Sequence, residues 1–413
     1  KDATVGIDSG KTVTIDGVGT PTTPGNKTVG IYLENVSTGS TFNGIGKLNV
    51  ANEAVGIYSK GNNTLNVDVT AAGDKTTGIF IDGTSTISGT VAATGTSTAG
   101  AVGVYGSGGA VTIGAGGLVL NTNSGRGTGM YLTDGASATG GTITVNNTVA
   151  GTKNIGVYYS KGTASGTVTN GSVISIANNE SIGIYAADGI TLVNNSNITS
   201  TAGKSENIGS YVGEGSELTS TGTITMNDSD SIGIYTEEGK GENSGTILMN
   251  GAPSGSNKSV VGMVAGAKAG KTAAVENAAG GTITAGANLG MYIGGTGTSS
   301  GKNAGTITTT TGTGVYVDGS TNSFDGTGGT INSNAVGMYL KNTGVNKITA
   351  GTFNIASGGV GVFGENANID FAVNVSGVEA VGVAAKTNSV ISGNITTTGQ
   401  DSVGVYVLDN TVT

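Results

Sequence analysis

The side chains able to do chemistry in this chain are carboxylates, ammoniums and phenols, because its 413 residues include no His, no Cys and no Trp. Without imidazole or thiolate there is no Ser-His-Asp or Cys-His nucleophile, and acid-base work would fall to paired carboxylates. The charged groups are regularly placed. They stand at Glu34, Lys60, Asp82, Asp134, Lys161, Asp188, Glu214, Glu238, Asp318, Lys341, Glu365, Lys386 and Asp409, four or five residues after a recurrent glycine. Their signs mostly alternate. Stacked repeats would turn such a column into ion pairs that fix register, each contributing about 0.2–1 kcal/mol at a surface. Several are also Asp-Gly pairs, such as Asp82-Gly83 and Asp188-Gly189, which turn chemistry explains equally well.

Asp188, Glu214 and Glu238 break the alternation, three acids in consecutive repeats. A cation such as Ca²⁺ would relieve their repulsion, and so would side chains splayed into water. The Gly-Gly-x-Gly-x-Asp calcium signature is missing, so neither a metal nor a cofactor is expected. Catalysis is not expected either: a sugar-cleaving site needs one convergent cluster of acids with a basic partner, and these acids are spread one per repeat.

The frame that must position these groups is a single phrase, an aliphatic residue, Gly, then Ile, Val or Met, then usually Tyr. It returns from Val5-Gly6-Ile7 to Val403-Gly404-Val405-Tyr406, giving 17 anchor glycines spaced 21 to 29 residues apart. Repeats of this length cannot each bury their own apolar face and must stack. Residues 207–227 are typical. Ile208-Gly209-Ser210-Tyr211-Val212, Glu217-Leu218-Thr219 and Thr223-Ile224-Thr225-Met226 read as three short strands separated by Gly, Asn and Asp turns, and helical periodicity is missing throughout. Three strands in about 25 residues fit one coil of a parallel β-helix, so residues 1–413 are expected to form one continuous stack of about 16–17 coils. At about 4.8 Å per coil the stack would be about 80 Å long.

Side chains alternate along a strand, so the residues on either side of each anchor glycine are expected inside, with the glycine and the aromatic position outside. Twelve of the 13 tyrosines occupy that outer position, among them Tyr58, Tyr105, Tyr131, Tyr158, Tyr185, Tyr211 and Tyr235, and Val264 and Ala384 interrupt it. A row this regular reads as a structural ladder more readily than as a sugar-stacking face. In the third strand, Gly-Thr-Ile-Thr at residues 141–144, 222–225, 281–284 and 305–308 places Ile inward and both threonines outward. Coils of uneven length argue against an ice-binding Thr array.

A net charge of −9 with Arg126 as the lone arginine offers no basic patch for nucleic acid or for anionic membranes, and no apolar run is long enough to span a bilayer. The absence of Cys suits a protein exported unfolded and equally suits a cytosolic repeat array, and the N-terminus has no signal-peptide layout, so the chain reads as a segment of a longer protein. Protruding loops are expected at residues 21–27, 147–154 and 250–258, the last holding Pro253, Asn257 and Lys258. The coil from Gly233 to Gly262 is the longest. It follows the acidic run and ends near Val264, so any partner contact is expected at this loop together with Asp188, Glu214 and Glu238.

Val-Gly-Ile-Tyr phrases, charged turns and Gly-Thr-Ile-Thr strands repeated without Cys resemble the passenger regions of large type V autotransporter adhesins of fusobacteria and their relatives. The resemblance covers essentially the whole chain. It implies a right-handed, single-stranded β-helix carried outside the outer membrane, anchored through a part of the parent protein not present here. It also implies attachment to host-cell receptors, glycans or other bacteria, by a monomer that does not itself insert into the membrane. A β-helical polysaccharide lyase or glycosidase is the alternative reading.

Overall fold

The computed structural model describes residues 4–17, 28–34, 39–95, 100–122, 127–147, 153–163, 166–256 and 258–408. The expected loop at 21–27, residues 148–152 of the one expected at 147–154, and residues Arg126, Asn257 and Asp409 lie outside that set. Among the described residues there is no helix. Parallel strands stack as a β-solenoid of about 15 turns, roughly 24 residues apart. The chain divides into two compact units, Lys1–Ser210 and Tyr211–Thr413.

In the first unit the anchor strands Val29–Glu34, Val55–Lys60, Thr77–Asp82, Ala101–Ser107, Gly127–Thr133, Ile155–Ser160 and Ile182–Ala187 pair in chain order, all parallel. In the second, Ile232–Thr236, Val261–Ala267, Leu289–Gly295, Thr313–Asp318, Val336–Lys341, Val360–Glu365, Val381–Lys386 and Val403–Val407 do the same. Like pairs with like, Val157 with Ile184 and Tyr158 with Tyr185. The phrase at Gly6 is an exception and a correction. Thr4 and Val5 pair with Thr41 and Phe42, which belong to the second strand of a coil, so Gly6 is not an anchor.

Apart from Ile31 and Val405 in the first and last anchor strands, the residue after the anchor glycine is buried, and Ile57, Ile184 and Ile234 are fully so while Tyr58, Tyr185 and Tyr235 are only half-buried. On the other side the flanking rule holds at Val55 and Val261, which are buried, and fails in most other coils. Val102, Ile155, Ile182, Ile232, Leu289 and Val360, each preceding a glycine, are half-buried at the rim, and the glycine itself is turned inward. A Cβ on Gly183 would stand 3.0 Å from Ile198 and 2.6 Å from the carbonyl of Gly209. The same approach recurs in both units, with the next glycine's oxygen 2.6 Å from a Cβ on Gly129 and 2.5 Å from one on Gly314. Two successive inward positions break the two-residue alternation, which moves the preceding side chain to the rim. Glycine is therefore required by close approach of neighbouring coils, not by its backbone angles.

The third strand follows expectation, with Ile143, Ile224, Ile283 and Ile307 buried. In the second unit a core column runs Ile224, Ile247, Ile283, Ile307, Ile331, Phe353. Three short strands per coil is too simple for the first unit. There Ser40–Ala51, Asn63–Ala72, Ser137–Asn147 and Thr167–Ala177 each run as one strand of 10 to 12 residues through the expected corner. Asn63–Ala72 has no glycine to turn on, and its burial alternates without a break. In the second unit the corner is made by buried asparagines. Asn243 donates to Asn277 Oδ1 and Asn277 to Asn303 Oδ1, both at 2.8 Å, and Asn243 and Asn277 also donate to nearby carbonyls such as those of Gly245 and Gly281. This satisfies amide N–H groups that would otherwise be costly to bury, while Asn243 Oδ1, at the start of this run, has no partner among the described residues.

Candidate functional site

Asp188 sits at the turn after its anchor strand in the first unit, and Glu214 and Glu238 at such turns in the second. Asp134-Gly135, Asp188-Gly189 and Glu214-Gly215 each have both residues in the left-handed region, with φ of 54° and 83°, 58° and 69°, and 56° and 73°. These are the central pairs of type I′ turns, closed by hydrogen bonds such as Ser216 N–H to Gly213 O at 3.1 Å. Turn geometry accounts for the acid-glycine pattern there. Ser160 hydroxyl donates to the Asp188 carboxylate, and Glu238 pairs with Lys271 at 3.0 Å.

The ion-pair column forms only in part: Lys60 and Asp82, Asp318 and Lys341, and Lys341 and Glu365 are in register without an ion pair among the described residues, and two other pairs close. Glu34 faces Lys60 with the charges 2.8 Å apart, and Glu365 faces Lys386 at 3.6 Å. Tyrosine hydroxyls join it. Tyr58 donates to Asp82 at 3.3 Å, and Tyr339 donates to Glu365. Burial first, then the neighbouring carboxylate, pushes both phenols up, so they stay protonated donors.

The outer rings Tyr32, Tyr58, Phe80, Tyr105, Tyr131, Tyr158 and Tyr185 stack with centroids 4.7 to 5.3 Å apart and planes within 18°. Tyr211 and Tyr235 stack at 5.3 Å. Tyr159 is the tyrosine outside the column. Its ring lies wholly in the core, where burial pushes the hydroxyl up and the carbonyl oxygens of Thr169 and Asn170 accept its hydrogen bond at 3.3 Å.

The 250–258 loop is exposed at Pro253, Ser254, Gly255 and Lys258. Its base is tied down: Asp230 accepts from the Ser254 N–H at 2.8 Å and from the Ser254 hydroxyl, and Asn288 donates to Gly251 O at 2.8 Å. Burial opposes the Asp230 charge, but the Ser254 bonds and Lys258 hold its carboxyl below the usual range. The loop meets Asp230 before the anchor strand Ile232–Thr236, whereas Glu238 follows that strand. The structure does not bring Glu238 and this loop together.

A cluster outside the turn column lies on the second strands of the second unit. Gly239–Asn243, Thr272–Asn277, Thr298–Asn303 and Ser323–Asp325 pair in sequence, stacking Glu242 on Glu276, Glu276 on Lys302 and Lys302 on Asp325. Two like charges face each other at Glu242 and Glu276, and Lys240 bridges them at 2.8 and 2.7 Å. Lys302 reaches Glu276 from the other side at 2.8 Å. Beside this wall runs a groove of about 500 Å³, with Ala274, Ser300 and Ser323 stacked in register along it and Asn346, Lys347 and Thr349 at one end. Loop length hid the cluster. Insertion of the 250–258 loop spaces Lys240 from Glu276 by 36 residues against 26 from Glu276 to Lys302, so no fixed period relates them. The signal was the pair Glu242-Asn243, Glu276-Asn277, Lys302-Asn303, a charged residue before each corner asparagine.

The protonation states decide what this groove can do. Burial raises the Glu276 carboxyl, but hydrogen bonds and charge from Lys240 and Lys302 outweigh it and hold it below the ordinary value. Burial likewise works against the Lys240 ammonium, and Glu242 with Glu276 outweighs it, raising that group. The Glu276 hydrogen bond raises Lys302, and the Thr327 hydrogen bonds lower Asp325. A general acid near neutral pH needs the opposite, a carboxyl raised above its ordinary value. These groups are fixed in their charged forms and suited to binding. Among the described residues no three acidic side chains converge where a metal ion would sit.

Comparison with known proteins gives no match, whether to protein-family models, to curated proteins or to solved structures.

Proposed function

We propose that this chain is a non-catalytic attachment segment of a bacterial surface protein, a passenger-type β-solenoid that binds host cells, glycans or other bacteria through its irregular surfaces. One observation carries the reading. The groove beside Glu276 holds the Glu276 and Asp325 carboxyls below their ordinary range and the Lys240 and Lys302 amines above theirs, charged forms suited to binding, with neither carboxyl raised as a general acid. The regular outer columns of rings and ion pairs support it as well, since they are satisfied by their own neighbours. Extracellular placement rests on the resemblance of the repeated phrases to autotransporter passengers, with which the absence of Cys is compatible.

The lyase or glycosidase reading rests on the same groove, because Glu276 pairs with Lys240 and Lys302 there and Asp325 stacks in register with Lys302. One experiment separates the two. The purified chain is applied to a glycan array and to whole host and bacterial cells, and the same glycans are assayed for chain shortening and for unsaturated uronate products. Saturable attachment with intact glycans is expected. Cleavage, or no attachment to any cell or glycan, overturns the proposal.

A further inference from the structure

The groove beside Glu276 has features that the ion pairs do not require. Its floor is a column of small outward residues, Ala274, Ser300 and Ser323, one per coil, so it crosses the strands and follows the direction of stacking. Coils rise by about 4.8 Å. A chain molecule lying in the groove would therefore meet an equivalent polar position at each step, on a spacing close to the advance of one sugar ring. The hydroxyls of Ser300 and Ser323 make no hydrogen bond among the described residues, and both are half-buried and face the groove. Asp325 is held in its charged form by Thr327, leaving an acceptor on the same wall.

Charge then selects the kind of chain. Lys240 and Lys302 are both committed to Glu276, so they stiffen the wall and offer little net attraction. Lys347, at the end of the groove, has no carboxylate partner among the described residues. It stands as an uncommitted ammonium on a chain of net charge −9. A peptide is a poor fit. The strands beneath the groove already have paired neighbours on both sides, so no sheet edge is open for strand addition, and the floor has no large apolar pocket for an anchoring side chain.

We infer that this groove binds an acidic oligosaccharide, with ring hydroxyls on Ser300, Ser323 and Asp325 and a carboxylate or sulfate on Lys347. The inference rests on the attachment reading and names a ligand class for it. The test uses the full chain and a set of uronate-, sialate- and sulfate-bearing oligosaccharides, each beside a neutral counterpart of equal length. Binding of at least one acidic member at least about tenfold tighter than its neutral counterpart is expected. Lys347→Glu should abolish that preference, and Ser300→Phe, which fills the floor, should abolish binding. Lys60→Gln in the first unit should change nothing. Circular dichroism on each variant separates loss of binding from loss of fold, and Lys347→Glu, a surface change, keeps the test open if Ser300→Phe does not fold. No acidic preference, or a preference that survives Lys347→Glu, overturns the inference, as does binding of peptides alone. Cell attachment that persists in Lys347→Glu would sink this groove and leave the attachment reading standing. Binding followed by cleavage would sink the attachment reading and leave the groove.

Discussion

The two units share one coil plan and differ in how they finish their surfaces. In the first, seven outer rings stack face to face with planes within 18°. In the second, Tyr292 meets Tyr316 edge-on at 77°, and Tyr316 with Tyr339 and Tyr339 with Phe363 are tilted by 45° and 56°. The break starts at Val264, which pairs between Tyr235 and Tyr292 and gives neither a ring to stack on. Bare backbone takes the place of the missing partner. The Tyr235 hydroxyl reaches Gly266 O at 3.5 Å, and Tyr292 folds over Gly294 so closely that a Cβ there would overlap its ring. The same unit holds the long loop and the charged groove. Regularity consumes a surface by satisfying it internally, and departures from regularity leave groups available to a partner.

The comparison predicts equal cores and unequal surfaces. Ile184→Asp in the first unit and Val315→Asp in the second replace fully buried side chains, and an unpaired buried carboxylate costs several kcal/mol. Both should open their own neighbourhood in hydrogen exchange and spare distant coils, because stability in a stacked array is nearly a sum over neighbours. Opening of the whole chain by either one would break the shared plan.

Next in size is the glycine ladder. Gly129→Ala and Gly314→Ala place a methyl 2.6 and 2.5 Å from a carbonyl oxygen. Each should lower stability by about 1–3 kcal/mol. Gly404→Ala, with nothing within 4 Å of its new Cβ, should be silent in urea unfolding. Equal losses at all three would mean that close approach is not the reason for glycine.

The rings should respond unequally. Tyr131→Ala removes a ring with two parallel neighbours and should cost about 0.5–1.5 kcal/mol per lost pair beyond its buried area. Tyr292→Ala loses one edge contact and should cost less. Val264→Tyr sharpens the contrast: a restored ladder should strengthen the near-ultraviolet dichroism of stacked phenols, and an unchanged spectrum would assign the tilt to some other cause.

The smallest effect is electrostatic. The Glu276 carboxyl is lowered in the folded state from its ordinary 4.5, so its stabilisation is complete above that pH and is lost as pH falls through the folded value. Glu276→Gln should therefore cost about 0.2–1 kcal/mol at pH 7, and the difference from the parent should vanish in strong acid. A gap that persists there would show packing, not charge.

Much of this was legible in the sequence. Period and composition pointed to stacked parallel coils, and Ile184 inside with Tyr185 outside followed from alternation. What alternation hid was the inward anchor glycine, because the side chain that would have revealed its direction is missing. Gly6 misled for a related reason: a three-residue phrase does not say which strand of a coil it occupies, and pairing with Thr41 and Phe42 settled that. Tyr159 entered the core because its place in the strand faces inward, whatever its polarity. The cluster around Glu276 was concealed by an insertion that changed the spacing without changing the stacking.

The central claim is that binding belongs to the irregular second unit and not to the regular ladder. The direct measurement is attachment of the intact chain to host and bacterial cells, beside two variants matched for circular dichroism. One carries Lys347→Glu and lacks residues 251–259. The other carries Tyr105→Ser, Tyr131→Ser and Tyr158→Ser. Attachment should be lost in the first and kept in the second. Loss in the tyrosine variant with full attachment by the other would contradict the account and make the ladder the binding face.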